Sequence, residues 1–427
     1  MKFLTLCLIV LLPFAPTPVP AQAQDAKPEF AAPAAAAARS DLLIDTHIDV
    51  PDRLEGKWAD VTGRTEDGDF DYERARRGGL DMPFMSIYTS GASEAQGTSY
   101  ELANRLIDRV EALAGRAPGK FAIVRTPDEA LAAKERGLIG LALGMENGSP
   151  IDGKLENLAF FRDRGVSYVT LTHSLSNHIA DSSYDENRQW NGLSPFGREL
   201  VAEMNRLGVM VDVSHVSDET FYQVLELSRA PVIASHSSAR HFTPGFERNM
   251  SDEMIRALAA QGGVIMINFG SSFLTAQAQQ WFVRMVAERK AWLRDQGFAE
   301  GSPEASAFGK RYREQNPFPY ASLDDLVAHF THVIDLVGIE HVGIGSDFDG
   351  VGDSLPEGMK DVSFYPNLIE KLMEKGHSAA AIEAILGGNL MRVWRAVQAK
   401  AAQPAAMQPE AAQPAPKQPT AEQPVAG

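Results

Sequence analysis

Short apolar runs of strand length alternate with segments of helical periodicity along most of the chain. Eight runs occur in order: DLLIDTHID (41–49), LDMPFMSIYT (80–89), LIGLALGMEN (138–147), VSYVTLTHS (166–174), GVMVDVSH (208–215), PVIASH (231–236), GVIMINFG (263–270) and HVGIGSDF (341–348). Apolar residues recur at helical spacing at 98–114, 127–136, 152–164, 195–207, 217–228, 251–261 and 322–338. Because no run is followed by a Gly-rich phosphate loop, a doubly wound open sheet is disfavoured. We predict an α/β fold, a TIM-like (β/α)8 barrel, with a helical insertion at 271–321 between strands seven and eight.

The amino-terminal segment differs from this central pattern. Residues 1–23 contain Lys2, then the apolar run FLTLCLIVLL, then the small-residue site Ala21-Gln22-Ala23, and this is the layout of a cleavable signal peptide. The run is shorter than the roughly 20 residues that a membrane-spanning helix needs. We therefore predict an exported protein, periplasmic or secreted, without a membrane span.

Low-complexity sequence follows this segment and also ends the chain. The stretches 24–40 and 400–427 are rich in Ala, Gln and Pro and poor in large apolar residues. Such composition buries too little apolar surface to offset the entropy of ordering, so we predict a disordered linker and a disordered tail. The intervening residues 41–399 form one predicted globular domain.

The charge of the chain narrows the choice of partners. Forty Lys and Arg residues against 56 Asp and Glu residues give a formal net charge of −16. This charge repels phosphate backbones, so nucleic acid is not an expected partner. The only cysteine, Cys7, lies in the predicted signal peptide. We expect the mature protein to have no disulfide and to be stabilised by its core.

Titratable residues interrupt the apolar strands at their carboxyl ends. These residues are His47, Asp49, Glu146, His173, His215, His236 and Asp347. The carboxyl ends of barrel strands meet at one mouth, where barrel enzymes carry their active sites. Burying such groups without partners costs several kcal/mol each. A bound metal is the simplest compensation.

The types and spacing of these residues indicate two ions. His47 and Asp49 stand two residues apart on one strand, so their side chains point to the same side. Glu146 offers two oxygens with which to bridge two ions, and the imidazoles of His215 and His236 suit metals such as Zn²⁺. Two ions about 3.5–4 Å apart polarise a carbonyl and convert a shared water to hydroxide. We expect hydrolysis of an amide or ester.

A further carboxylate is needed to handle the proton of that water. Asp347, at the end of the last strand, can orient the water and accept its proton. Asp349 is the alternative, because it shares the same face if the strand continues. Gly350 indicates a turn at this point, so we assign the role to Asp347.

Eight motifs resemble, in the same order, those of the membrane (renal) dipeptidase family. They are LIDTHIDVP, GMENG, LTHSLSNHIADSS, DVSHVS, PVIASHSSAR, ERN, IGSDFDG and GGNLMRV, spread over residues 43–393. The resemblance implies a barrel that holds two zinc ions per chain and hydrolyses dipeptides. It further implies that His47 and Asp49 hold one zinc. His215 and His236 would hold the second, with Glu146 bridging both.

The resemblance also implies roles for three residues in the reaction. Asp347 would be the remaining acidic ligand at the first zinc and would hold and deprotonate the bridging water. His173 would donate to the scissile carbonyl oxygen as negative charge develops there. Arg248 would bind the C-terminal carboxylate of the dipeptide through a bidentate pair. Such a clamp explains a preference for very short peptides.

Other functions stay open at this point. One is another binuclear amidohydrolase acting on lactones, cyclic amides or N-acyl amino acids, for which a clamp at Arg248 is less necessary. A catalytically silent binding protein is disfavoured, because the ligands and the proton-transfer group are all present. The substrates of an exported dipeptidase could include L,D-dipeptides from cell-wall turnover. A non-covalent homodimer also stays open, since the mature chain lacks cysteines to link two subunits.

Six of the ten histidines lie outside this constellation. His329 and His332 are three residues apart in a predicted helix, a spacing that a metal site can use. Phe330 and Val333 beside them indicate a boundary position instead. We interpret these two histidines, and His241, as structural or surface residues.

Overall fold

Nine parallel strands form the centre of this computed structural model, which describes residues 31–299 and 301–401. The strands are β1 (Ile44–Ile48), β2 (Met82–Tyr88), β3 (Phe121–Ile123), β4 (Ile139–Glu146), β5 (Val166–Thr170), β6 (Met210–Asp212), β7 (Ile233–Ala234), β8 (Val264–Ile267) and β9 (Val342–Ile344). Eight of them form a barrel in the order β1-β2-β4-β5-β6-β7-β8-β9, and β3 pairs with β4 off this path. The predicted α/β barrel is confirmed.

The barrel is nearly closed, because β1 and β9 meet at their carboxyl ends. A parallel bridge joins Ile48 to Phe348. The backbone N–H of Asp49 donates to the Phe348 carbonyl over 2.9 Å, and that of Asp347 donates to the His47 carbonyl over 3.0 Å. Closure therefore brings His47, Asp49 and Asp347 together from opposite ends of the domain.

Helices alternate with the strands. They are α1 (Ala32–Ser40), α2 (Val50–Gly56), α3 (Tyr72–Gly78), α4 (Gly91–Ala95), α5 (Ser99–Arg116), α6 (Pro127–Glu135), α7 (Leu155–Asp163), α8 (Pro195–Leu207), α9 (Asp218–Leu227), α10 (Asp252–Ala260), α11 (Ser271–Leu274), α12 (Ala276–Gln296), α13 (Pro303–Gln315), α14 (Leu323–Val337), α15 (Tyr365–Glu374), α16 (Ala379–Glu383) and α17 (Asn389–Ala401). Ser194, Ser217 and Ser251 cap three of them by accepting a backbone N–H. All seven predicted helical segments correspond to helices.

The predicted insertion between β8 and β9 is helical. Its two longer helices, α12 and α13, share a small core of their own, formed by Ala278, Trp281, Tyr312 and Phe318. The indole N–H of Trp281 donates to the Asn316 carbonyl over 2.9 Å and ties the two helices together. In the two described ranges, no helix is both long and apolar enough to cross a bilayer.

The predicted disorder of residues 24–40 is wrong for residues 32–40, which form helix α1. Ala34 and Ala38 are buried on its inner face, and the helix packs against α15. Alanine has the highest helix propensity. Gly79 lets α1 approach closely, because a Cβ on Gly79 would lie 2.2 Å from the Ala38 carbonyl oxygen. Helix α17 likewise continues to residue 401, just beyond the predicted domain boundary. The predicted signal peptide and most of the tail lie outside the described residues.

Apolar side chains fill the lower part of the barrel. Ile44, Met82 and Phe84 pack there with Trp394, which α17 inserts from below. The Phe84 ring lies 5.5 Å from the rings of both Trp394 and Tyr168. The titratable residues His47 and Glu146 lie beyond this apolar part, toward the carboxyl ends of their strands.

Candidate metal centre

Glu146 lies at the middle of the barrel mouth, at the end of β4. Its Oε1 lies 3.1 Å from His215 Nε2, 3.3 Å from His236 Nε2 and 3.4 Å from His173 Nε2. Its Oε2 lies 3.4 Å from His47 Nε2 and accepts a hydrogen bond from Ser86 over 3.2 Å. The two oxygens of one carboxylate therefore face two different sets of histidines.

The remaining predicted residues complete two subsites. Asp49 Oδ2 lies 3.5 Å from His47 Nε2, and ligand atoms of His47, Asp49 and Asp347 all lie within 4.8 Å of one another; we name this set subsite 1. His215 Nε2 and His236 Nε2 are 2.8 Å apart and form subsite 2. The structure thus brings together all six residues that the sequence nominated as ligands.

The donor set fits a divalent cation. His47 Nε2, which faces Glu146 and Asp49, is buried and has no hydrogen-bond partner among the described residues. A buried polar atom without a partner is costly, and ring nitrogens as close as those of subsite 2 repel each other unless a proton or a cation lies between them. Imidazole nitrogens together with carboxylate oxygens are the usual ligands of zinc.

Tyr168 fixes the orientation of His47. The Tyr168 hydroxyl donates its proton to the Thr46 carbonyl over 2.9 Å, and the same oxygen lies 2.9 Å from His47 Nδ1. Since the hydroxyl has only one proton, His47 Nδ1 must be the donor in this second bond. In the neutral ring, His47 Nε2 is then the nitrogen with a free lone pair, and it faces Glu146 and Asp49.

A carboxylate and a serine fix His236 in the same way. Asp212 Oδ2 accepts a hydrogen bond from the Ser235 hydroxyl over 2.6 Å, so that hydroxyl has no proton left for the imidazole. His236 Nδ1, 2.7 Å from the same hydroxyl oxygen, is therefore the donor. The lone pair of His236 is again on Nε2, directed into subsite 2. A partner of this kind on the far nitrogen is typical of histidines that bind metals.

The strands end sharply at the site. His215 and Asp347 have left-handed backbone angles, φ 69° and φ 64°, which non-glycine residues adopt at a cost and mostly at functional positions. A Cβ on Gly350 would lie 2.2 Å from both Asp347 Oδ1 and Asp49 Oδ2. Gly350 thus lets the turn pass directly against the carboxylates.

Burial shapes the ionisation of the site. Burial raises the pKa of Asp347 to about 7, and the neighbouring charge of Asp49 adds to this effect. Burial opposes ionisation of Glu146, but the imidazoles around it hold its pKa well below its usual range. Burial lowers the pKa of His215 and His236 well below the usual value. Neutral imidazoles keep the lone pair that a metal requires.

Asp349 does not belong to this cluster. Its carboxylate forms an ion pair with Arg53 at 3.1 Å and accepts the backbone N–H of Asp69 over 2.7 Å. Asp349 therefore pairs with Asp69 and Arg53. Asp347, in contrast, lies beside His47 and Asp49 in subsite 1, in agreement with the choice of Asp347 over Asp349.

His173 lies at the rim of the site, just after β5. Its ring centroid lies 4.3 Å from that of His215 and 4.8 Å from that of Tyr88. Its Nδ1 lies 2.7 Å from the Ser174 hydroxyl. The side chain remains 21% exposed, whereas that of His236 is 1% exposed. His173 is therefore the histidine of the mouth that an incoming molecule can reach.

Arg248 lies beside subsite 2 with its guanidinium held in place. Nη1 donates to the Ser237 hydroxyl over 2.7 Å, and Nη2 donates to the His236 carbonyl over 2.8 Å. The guanidinium carbon lies 5.5 Å from the centre of the Phe273 ring. The residue is 3% exposed, and its Nε has no hydrogen-bond partner in the described part of the chain. A buried cation with a free donor is suited to an anionic ligand group.

The comparison with known families agrees with this architecture. The sequence model for the membrane dipeptidase family, peptidase family M19, matches residues 33–408. This chain belongs to that family. The resemblance carried by the eight sequence motifs is confirmed, and the chain is a peptide-bond hydrolase of the metallo-dipeptidase class.

Individual relatives cover most of this family member. An uncharacterized dipeptidase of Schizosaccharomyces pombe is 32% identical over 383 residues, which is 84% of this chain and 82% of that protein. The crystal structure of a probable dipeptidase, PvdM, from Pseudomonas aeruginosa superposes with a TM-score of 0.74 at 26% identity, covering 86% of this chain and 98% of that one. A metallopeptidase from Rhodobacter sphaeroides with a phosphinate mimic of L-Ala-D-Ala has the same fold, with a TM-score of 0.69 at 24% identity, covering 84% and 99% of the two chains.

Several residues that support the site are not among those predicted from the sequence. Tyr168 and Asp212 lie within strands β5 and β6, and the sequence pattern does not distinguish them there from other strand residues. Asn268 donates to Asp347 Oδ2 over 2.7 Å; it directly follows β8, so the same signal that identifies the ligands, a polar residue at a strand end, also applies to it. Tyr184 lies near the mouth, its ring 5.9 Å from that of His215.

Proposed function

We propose that this enzyme is an exported, zinc-dependent dipeptidase with two zinc ions in the barrel mouth. The observation that carries the proposal is the position of Glu146, whose two oxygens face two separate ligand sets. In this proposal His47 and Asp49 hold one ion, His215 and His236 hold the other, and Glu146 bridges both. When bound, such ions would polarise the scissile carbonyl and make a water molecule a better nucleophile near neutral pH.

Asp347 is proposed to orient the attacking water and to accept its proton. Its Oδ2 accepts a hydrogen bond from Asn268, which fixes the carboxylate plane and leaves Oδ1 directed toward the turn that contains Gly350. Asp347 also lies within reach of His47 and Asp49 in subsite 1. A proton accepted there can pass to the amine of the departing amino acid.

His173 is proposed to bind the carbonyl oxygen of the scissile bond. If the Ser174 hydroxyl donates to His173 Nδ1, the imidazole proton is on Nε2, which points toward the centre of the mouth. Burial lowers the pKa of His173, so the ring donates a hydrogen bond without carrying a charge of its own. Such a donor stabilises the negative charge that develops on the oxygen.

Arg248 is proposed to bind the free C-terminal carboxylate of the dipeptide. The Ser237 hydroxyl and the His236 carbonyl hold the guanidinium beside subsite 2, so little flexibility is lost when a carboxylate binds. A carboxylate at a fixed distance from the reacting carbonyl selects substrates with one residue after the scissile bond. This selection favours a dipeptidase over an amidohydrolase that acts on lactones or cyclic amides.

The decisive experiment is hydrolysis of a dipeptide panel by the purified protein, with and without chelator and added Zn²⁺. The panel contains L,L- and L,D-dipeptides, N-acylated and C-amidated controls, and a lactone. We expect zinc-dependent cleavage that requires a free C-terminal carboxylate, with L,D-dipeptides from cell-wall turnover among the substrates. Cleavage of the lactone but not of the dipeptides, by protein that holds two zinc ions, would favour the other amidohydrolase class.

The role of Arg248 is tested in the same assay. Replacing it with Lys should lower kcat/KM for free dipeptides by about 10², because a bidentate charged pair is lost. For C-amidated peptides, kcat/KM should be as low in the variant as in the wild type. Arg313→Lys, in the insertion, is the matched control. An equal loss of kcat/KM for free and for C-amidated peptides would show that Arg248 does not bind the C-terminal carboxylate.

A further inference from the structure

We propose that His241, Asp252 and His332 form a peripheral site for one transition-metal ion, separate from the barrel mouth. The three residues come from three elements: the 3-10 turn Arg240–Phe242, the first position of α10, and α14. One ligand atom from each lies within 4.8 Å of the other two. We name this set the peripheral cluster.

The geometry brings the ligand atoms to one side of the cluster. His332 Nε2 lies 2.7 Å from Asp252 Oδ1. The rings of His241 and His332 are stacked, with centroids 4.4 Å apart and planes inclined by 24°. Because stacked imidazoles present their nitrogens side by side, both rings can direct a nitrogen toward the Asp252 carboxylate.

The chemistry of the cluster favours a borderline metal such as Zn²⁺. Two imidazoles and one carboxylate supply three of four tetrahedral positions and leave one for water. Zn–N and Zn–O bonds of about 2.0–2.2 Å require ligand atoms roughly 3.3–3.5 Å apart. The cluster reaches this spacing by a rotation of His241, which is exposed, while the 2.7 Å pair opens slightly.

The ion would replace a proton that the structure locates. Asp252 can only accept, so the 2.7 Å bond places a proton on His332 Nε2. On binding, that proton would move to solvent from a doubly protonated ring, or to Nδ1 through water in a neutral ring. In either case a neutral imidazole would offer the lone pair of Nε2 to the ion, and the carboxylate would exchange a hydrogen bond for a metal bond. With neutral imidazoles and one carboxylate around a dication, the occupied cluster would keep a net positive charge.

A neighbouring histidine shows by contrast which side chains are free to bind. His329, one turn earlier on α14, accepts the backbone N–H of Ala239 at Nδ1 over 3.1 Å, and its Nε2 donates to the Leu274 carbonyl over 3.0 Å. Both of its nitrogens are thus committed to the backbone. Phe242 packs against this ring, at 4.4 Å, and against the ring of His332, at 5.6 Å.

The position of the cluster gives the ion a structural consequence. The turn that contains His241 opens the loop that carries Arg248, and Asp252 and His332 belong to helices that pack on each other. An ion would therefore join the start of this loop to α10 and α14. We expect bound Zn²⁺ to raise the melting temperature without entering the reaction.

The test is metal analysis of the full-length protein after equilibration with Zn²⁺, for the wild type and for the variants His241→Ala and Asp252→Asn. Both variants should bind one zinc equivalent fewer than the wild type. Asp252→Asn keeps a hydrogen-bonding side chain of the same shape, so its folding is preserved, and circular dichroism checks this point. His377→Ala, outside the cluster, should keep the wild-type stoichiometry.

The outcomes separate this site from the barrel mouth. Equal zinc content in the wild type, His241→Ala and Asp252→Asn would overturn the proposal and leave an ordinary hydrogen bond between His332 and Asp252. A low but equal zinc content in all proteins would count against the proposed binuclear centre as well. A difference of one equivalent supports the peripheral site whatever the content of the mouth.

Discussion

The barrel mouth and the peripheral cluster both bring histidines and carboxylates within a few ångströms, but they hold them in different ways. In the mouth, Tyr168 orients His47, and Asp212 orients His236 through Ser235. In the peripheral cluster, His241 is exposed, and its ring contacts His332 and Phe242 without a hydrogen bond that fixes it among the described residues. The mouth is therefore organised before a ligand arrives, whereas the cluster must rearrange to bind. Such preorganisation is what catalysis requires of a site.

The largest effect is expected from removing the residue that joins the two subsites. Glu146→Ala should lose both metals together and lower kcat/KM for dipeptides by at least about 10³, because a bridging ligand couples the two ions. Zinc content and kinetics measured on the same sample check this. Glu94→Ala, which removes a carboxylate that pairs with His178 outside the mouth, is the control. Two zinc ions retained by the Glu146 variant would refute the bridging role.

The contrast between these regions also explains which residues can be predicted from the sequence. The proposed ligands of the mouth interrupt apolar strands at their carboxyl ends, so residues such as Glu146 and Asp347 are conspicuous in the sequence itself. This signal is strong because a charged residue inside an apolar strand is costly to bury unless it has a partner. The peripheral cluster gives no comparable signal, because Asp252 and His332 lie on amphipathic helices, where polar residues are ordinary.

The parts of the fold that the sequence does not predict have a related cause. The alanine-rich stretch that forms α1 lacks large apolar residues, so its composition is that of a linker, although its small side chains are buried where the helix packs against α15. Tyr168 is inconspicuous in the sequence because tyrosine is common in strands, where it is expected to pack in the core. Only the fold shows that its hydroxyl reaches His47. The three-residue strand β3 is too short to give a period-two pattern.

An intermediate effect is expected from the histidine at the rim of the mouth. His173→Ala should retain two zinc ions and lower kcat by about 10²–10³, the loss typical of one oxyanion donor. Its 3.4 Å distance from Glu146 Oε1 is also compatible with a ligand role, so metal content is the deciding measurement. Zinc lost from this variant would make His173 a ligand.

A smaller effect tests whether the mouth is organised by its supporting hydrogen bonds. Tyr168→Phe leaves His47 Nδ1 without its partner, so zinc affinity at subsite 1 should fall by about 10–100-fold, as for other partners of metal-binding histidines. Zinc titration against a competing chelator measures this change. Tyr312→Phe, buried in the insertion, is the matched control. If both variants bind zinc as the wild type does, Tyr168 is a packing residue only.

The smallest effect on kcat/KM is expected from a substitution in the peripheral cluster. His241→Ala should lose the peripheral ion but keep kcat/KM within about twofold, because Arg248 is held by Ser237 and His236 rather than by the turn that contains His241. Without metal its stability should also match that of the wild type within about 0.5 kcal/mol, as for other exposed substitutions. Kinetics and thermal melting, each with Zn²⁺ and with chelator, check both statements. A larger drop in kcat/KM, present with chelator as well as with Zn²⁺, would mean that His241 directly positions the loop that carries Arg248. The two regions would then act as one site.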